Sequence, residues 1–302
     1  MMITMLTGGG EEQIESLENA ARRHTQAGDV FRRLLNNKLG MIGLCIVIVL
    51  LFLTIFSGVV TKFPYEEQDF GNRFQFPDPV HIMGTDNFGR DIWSRLVYGG
   101  RISLLVAVIS VAISLTCGVI LGSVAGYFGG KVDITIMRIL DILMAIPGLL
   151  MAIAVSAMLG SGPVKTAMAI SISGIPASAR LIRSTVMSIK SNEYVEAAVA
   201  TGSTNRRVIF RHILPNVIAP IIVNSTLGIG GNIMAISGLS FIGLGVQPPT
   251  PEWGSILSSG RPYLRDFWPM IVFPSLFIML TLFAFNLLGD ALRDALDPKL
   301  KK

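Results

Sequence analysis

The chain has 302 residues, of which 51% are hydrophobic and only 15% charged, against roughly 25% charged in an ordinary soluble domain. With a mean hydropathy of +0.60, this composition argues against one or two soluble domains and describes a polytopic integral membrane protein. The net charge of +5 does not signal nucleic acid, because no basic patch carries interleaved aromatics; in a membrane protein, excess Lys and Arg mark cytoplasmic loops.

The first 38 residues include the acidic, polar run "GGGEEQIESLENAARRHTQAGD". A secretory signal needs a basic start and a short apolar core, so this reads as a cytoplasmic tail, partly helical and partly disordered. A span needs about 20 mostly apolar residues, and six segments meet or approach that length. They are Met41–Val60, Ile102–Gly126, Ile139–Gly160, Val164–Ser184, Asn216–Ile242 and Phe267–Gly289. The fourth has the shortest charge-free centre, and Arg180 and Arg183 at its end are expected to snorkel to the interface. Cys45 and Cys117 each lie inside an apolar run, which suits packed thiols and not a disulfide or metal pair.

If the amino terminus lies on one side, that side collects 17 of the 25 Lys and Arg residues and the other side 8. The richer side is the cytoplasmic one, and both termini then lie inside. Three extramembrane pieces stand out. The outer segment Thr61–Arg101 ends in "GTDNFGRDIWSRLVYGGR", where Ile92, Leu96 and Val97 recur at helical spacing beside Trp93 and Tyr98; this predicts a helix lying at the membrane interface. The loop Arg180–Pro215 is cytoplasmic, and the loop "GVQPPTPEWGSILSSGRPYLRDFW" is outer and rich in turn-formers.

Gly118, Gly122 and Gly126 line one face of the second span, and small residues at that spacing serve close helix packing. "GYFGGK", Gly126–Lys131, departs from a phosphate-binding loop. Ala125 stands where the first glycine is required, Val132 follows the lysine, and a membrane helix precedes it. It is a tight turn, and the chain shows no nucleotide site of its own. The span centres lack ionisable residues. Arg138, Asp141, Arg180, Arg183 and Asp290 cluster at inner ends, with Asp141 placed to pair with Arg138 three residues earlier. A proton-coupled carrier or a selective cation channel generally uses a midplane carboxylate, a carboxylate ring or a carbonyl filter, so energy for transport has to come from outside this chain.

The cytoplasmic loop shows where. In "NEYVEAAVATG", Asn192 is a helix cap, Glu193 and Glu196 suit the positive amino-terminal end, and Gly202 supplies a left-handed stop. About nine residues are too few for a stable isolated helix, so it needs docking. Tyr194, Val195, Ala198 and Val199 share a face, and Ala197 and Ala198 leave room for close contact. A second helix is expected from Ser203 or Thr204, carrying Arg206, Arg207 and Arg211 and stopping before Pro215. Helix physics alone allows two readings of this loop: a protein-docking helix, or an amphipathic elbow resting on the bilayer.

"EAAVATGSTNRRVIFRHILP" resembles the cytoplasmic EAA loop of ABC-importer permeases, with Glu196, Ala197, Ala198, Gly202, Ile213, Leu214 and Pro215 in matching positions. "GTDNFGRDIWSRLVYGGRISL", "GYFGGKVDITIMRILDILMAIPGLLMAI", "SFIGLGVQPPTPEWGSIL" and "FNLLGDALRDALDPKLK" extend the resemblance over nearly all of 31–302. They are similar to the peptide/nickel branch, specifically the C-type partner of a two-permease channel.

The resemblance implies an all-α membrane fold with six spans and a cytoplasmic coupling helix, the type I transmembrane domain. Its expected parts are a tail over 1–30, a first span with an outer region over 31–100, a core over 101–290 and a tail over 291–302. It implies a homologous second permease, two ATPase subunits that bind ATP and Mg, an external substrate-binding protein, and the bacterial inner membrane as location. This chain itself would hold no cofactor, no metal and no catalytic residue. Tyr194, Glu196 to Gly202, Arg206, Arg207, Leu214 and Pro215 would couple to the ATPase. Asp86, Arg90, Asp91, Arg95, Arg101, Pro251, Glu252 and Trp253 would form an outer docking surface or gate. The branch imports dipeptides, oligopeptides, nickel chelates or glutathione, and peptides are the favoured reading. A self-contained channel or secondary transporter is the competing class; it would carry flux alone, driven by an ion gradient.

Overall fold

The structure is a computed structural model that describes residues 26–296. Residues 1–25 of the expected tail over 1–30 and residues 297–302 of that over 291–302 lie outside the described residues. Ten helices carry the architecture: α1 Gln26–Asn36, α2 Lys38–Ile55, α3 Ile92–Phe128, α4 Gly130–Met144, α5 Gly148–Leu159, α6 Pro163–Lys190, α7 Glu193–Ala200, α8 Asn205–Phe241, α9 Trp253–Gly260 and α10 Pro269–Leu296.

Four of these, α2, α3, α8 and α10, are long and apolar enough to cross a membrane. The third expected span, Ile139–Gly160, is not one straight helix. It is the pair α4 and α5, bent by 84°, because Pro147 starts α5 and the residue before a proline is driven out of the helical region. As a pair it makes a fifth span. The weakest expected span corresponds to α6, which has 28 residues. It is long enough, but Lys165, Arg180, Arg183, Lys190 and a run of serines keep it below the hydropathy of the others.

What replaces hydropathy in α6 is packing against α3. Three of the glycines of α3 meet α6 directly: a Cβ placed on Gly118, Gly122 or Gly126 would stand 2.6 Å from Ser178 Cβ, 2.5 Å from the Ala179 carbonyl oxygen or 2.9 Å from that of Arg183. The element that approaches this stripe is α6. Hydroxyls tie the same seam: Ser114 Oγ donates to the Ser171 carbonyl at 2.9 Å, and Ser171 Oγ donates to that of Ser110 at 3.2 Å.

The interfacial helix expected around Ile92–Tyr98 does not exist as a separate element. It is the first two turns of the 37-residue α3, with Ile92, Leu96 and Val97 fully buried. The apolar spacing pointed to burial correctly, but the burial is against α9 and α10 and not against lipid. Two cores result. The larger joins α2, α3, α8, α9 and α10, with Trp253, Ile256, Met270 and Phe277 among its members. A smaller one gathers Tyr127, Ile182, Val186, Val195, Val208, Ile213 and Val217 at the end of the bundle where α7 sits.

Candidate functional site

The short helix α7 lies across the bundle end between α6 and α8, held by one residue: Val195 is 1% exposed within the smaller core. Asn192 occupies the cap position in extended geometry, yet its side chain makes no capping bond. The stop is better formed. Gly202 has φ +83°, its N–H donates to the Val199 carbonyl at 3.0 Å, and the Ser203 N–H donates to that of Ala198 at 3.1 Å. These two bonds define a Schellman motif, which requires the left-handed glycine.

The face expected from helical spacing is divided. Val195 points inward with Ala198 half buried, whereas Tyr194 and Val199 are exposed. Glu193, Glu196 and Ala197 also face outward. The exposed surface of α7 is thus Tyr194, Glu196, Ala197 and Val199, and it continues through Gly202 to the exposed Arg206, Arg207 and Arg211.

The second helix does not stop before Pro215. After its cap at Thr204 it runs from Asn205 through to Phe241, widening into a π turn over Val208–Ile213, where the Leu214 N–H bonds the Ile209 carbonyl five residues back. Pro215 then falls in the first turn of the regular helix, where its missing N–H costs least. Leu214 is half buried and Pro215 exposed, while their neighbour Ile213 is buried in the smaller core. Three residues that sequence reasoning missed complete the mounting. Tyr127 donates its hydroxyl to Asn205 Oδ1, and Lys190 donates to the Tyr127 carbonyl at 2.7 Å. Only the turn "GYFGGK" and the loop's length hinted at them. Phe210, 69% exposed between Arg207 and Arg211, also went unnoticed.

At the opposite end, the residues expected to form a docking surface or gate are mostly interior. Asp86, Arg90, Asp91, Arg95, Pro251, Glu252 and Trp253 are all buried, and only Arg101 is exposed. The Asp86 carboxylate accepts from the Phe88 and Arg90 N–H groups and from Arg90 Nε at 2.7 Å, with Arg95 Nε at 3.5 Å. Asp91 caps α3 by accepting from the Ser94 N–H at 2.7 Å and pairs with His81 at 3.0 Å.

Glu252 caps α9 through the Gly254 and Ser255 N–H groups and accepts from Ser103 Oγ at 3.1 Å. Burial pushes its carboxyl above the usual carboxylate value, and these donors only partly oppose that. Trp253 Nε1 donates to the Leu96 carbonyl at 2.8 Å. Arg101 donates to the Thr54 and Ile55 carbonyls, each at 2.6 Å, closing the last turn of α2. Apart from Arg101, these side chains brace the surface at this end of the bundle from beneath.

The model of the binding-protein-dependent transport system inner membrane component matches residues 118–302. The chain belongs to that family. The model of the N-terminal membrane domain of oligopeptide transport permease C matches 25–77, reaching slightly into the segment for which the sequence offered no resemblance. Among its relatives, the dipeptide transport system permease protein DppC of Alkalihalophilus pseudofirmus is 45% identical over 90% of each chain. The glutathione transport system permease protein GsiD of Pectobacterium atrosepticum is 44% identical over 84% of this chain and 85% of its own. The oligopeptide transport system permease protein OppC of Bacillus subtilis is 40% identical over 91% and 90%.

The fold is shared with the inward-facing MetNI methionine ABC transporter, at a TM-score of 0.55 and 16% identity over 67% of this chain and 96% of that one. The permease is accordingly an all-α, multi-pass membrane component of the type I importer class. In such a transport subunit, α7 is a short helix docked at the bundle end with most of its surface left open.

Proposed function

We propose that this permease is one half of the channel of an ATP-driven importer for short peptides. Its α7 is the coupling helix through which ATPase subunits drive the bundle. The carrying observation is the mounting of α7: Val195 fixes it to the smaller core, while Tyr194, Glu196, Ala197 and Val199 remain open to a partner. A helix of eight residues is unstable alone, so this rigid docking makes it a lever, and rigid docking favours a protein partner over a bilayer elbow.

In this reading the partners are a homologous second permease, two ATPase subunits that bind ATP and Mg, and an external substrate-binding protein. The loop end faces the cytoplasm, as the Lys/Arg bias requires. ATP binding closes the ATPase pair, α7 moves with it, and α6 and α8, joined to α7 through the smaller core, carry the motion into the bundle. The bundle then opens outward to receive substrate, and hydrolysis resets it.

Peptides are the substrate class because relatives named for dipeptide and oligopeptide transport align over about nine-tenths of this chain. Glutathione, itself a small peptide, is the second reading, favoured by the glutathione permease at 44% identity. Uptake by proteoliposomes tests the function. The complete complex is expected to accumulate a dipeptide only with ATP and binding protein, and the permease alone to carry none. Ion-gradient-driven flux through the permease alone would contradict the proposal.

A further inference from the structure

Arg180 of α6 and Asp141 of α4 form an ion pair at 2.5 Å, and both side chains are 50% exposed. The sequence expectation that Asp141 pairs with Arg138, and that Arg180 and Arg183 snorkel, is thereby replaced: Arg183 pairs with Asp133 across the same two helices. Both arginines found carboxylates on a neighbouring helix, which removes the need to reach the interface. The Arg180 pair is well inside its helix. Ten residues, about 15 Å of helix, separate it from Lys190, and its neighbour Ala179 packs on Gly122 of α3. Ile139, Ile142 and Met144, near Asp141 along α4, are exposed. A half-exposed charged pair is costly against hydrocarbon, so its open side faces water or protein.

Beside it the 84° bend between α4 and α5 leaves a cavity of about 140 Å³, walled by Leu143, Met144, Ile146, Pro147, Met151 and Pro176. Met144 on the wall follows Asp141 by three residues, and Ala177, also on the wall, precedes Arg180 by three, so the cavity lies one helical turn from the pair on each helix. A carboxylate, a guanidinium and an apolar recess side by side complement a small zwitterion. The carboxylate accepts from an ammonium, the guanidinium donates to a carboxylate through its planar fork, and the recess takes a side chain.

We propose that Asp141, Arg180 and this cavity form a transit subsite for a short zwitterionic peptide, whose termini exchange with the ion pair while one side chain fills the recess. The assignment of peptide as the ligand rests on the transport reading above. Since the ligand displaces an existing ion pair and must leave again, it binds weakly, strongly enough to enter and loosely enough to release.

The test irradiates the complex of permease and partner subunits, without binding protein, in the presence of alanyl-photoleucine, a dipeptide with a diazirine side chain. Label is expected within Leu143–Met151, displaced by dialanine but not by N-acetyl-dialanine amide. It is expected to fall about tenfold in Asp141→Asn and in Arg180→Gln, while Asp141→Glu, which keeps the charge, labels like the wild type and shows that folding is intact. Label that ignores both neutral variants or the capping of the competitor overturns the subsite, as does the absence of label from this segment. Uptake by the same complex is read separately. Labelling as expected without ATP-driven uptake sinks the transport reading and leaves the subsite standing.

Discussion

Tyr127 donates its phenolic hydrogen to Asn205 Oδ1 at 2.9 Å, joining the last turn of α3 to the first residue of α8. Lys190, at the end of α6, bonds the backbone carbonyl of the same tyrosine, so three helix ends meet at one residue beside α7. Tyr127→Phe keeps the ring in the smaller core and removes only the bond, worth about 1 kcal/mol. Hydrogen exchange at the amides of 195–202 is expected to quicken roughly fivefold, with the rest of the bundle unchanged. Unaltered exchange there would show that the bond does not hold α7.

Gly202 tests the cap without steric interference, because a Cβ there would meet nothing within 4 Å. Its φ of +83° makes Gly202→Val cost roughly 1–2 kcal/mol of backbone strain, while Gly202→Asn, which tolerates the left-handed region, costs less. The valine variant is expected to hydrolyse ATP without transporting, and the asparagine variant to retain coupling. Equal coupling in both would separate the cap from function.

The glycine stripe makes a contrasting prediction. Gly122→Ala places a methyl 2.5 Å from the Ala179 carbonyl oxygen, so α3 and α6 must separate, at about 1–3 kcal/mol. Gly148→Ala, where a Cβ finds nothing within 4 Å, is the control. Melting in detergent is expected to drop for the first and not for the second.

The stripe and the Gly202 stop were legible in the sequence because they are local patterns. Glycines four apart share a face, and a short capped helix ends at a glycine. What needed the fold was whatever depends on distant partners. Asp141 chose Arg180 over the nearer Arg138, since antiparallel packing brought α4 and α6 together. Trp253 and Glu252 looked like an outer surface until Leu96 and Ser103, about 150 residues away along the chain, closed over them. Pro215 read as a stop, and a π turn carried the helix past it. Ala197 and Ala198 both promised close contact, yet the turn of α7 places Ala198 half inside and Ala197 outside.

Glu252 gives a pH signature. Its buried carboxyl titrates above the usual value, so the fold binds this proton more tightly than the unfolded chain does. The group's contribution is full below the unfolded value of about 4.3 and is lost as pH rises through the raised one. Glu252→Gln removes the titration. The melting temperature of the wild type, relative to this variant, is expected to fall as pH rises from about 4 towards 8. Parallel curves would mean that folding leaves the titration of this carboxyl unchanged.

The central claim is that energy enters through the open face of α7. Site-directed crosslinking tests it most directly, using the complex as purified with Cys45 and Cys117 replaced by serine and a single cysteine at Ala197 or at Val195. A crosslink from position 197 to a co-purified ATPase subunit, with none from the buried position 195, is the expected result. Absence of a co-purifying ATPase, or equal reaction at the two positions, would contradict the account.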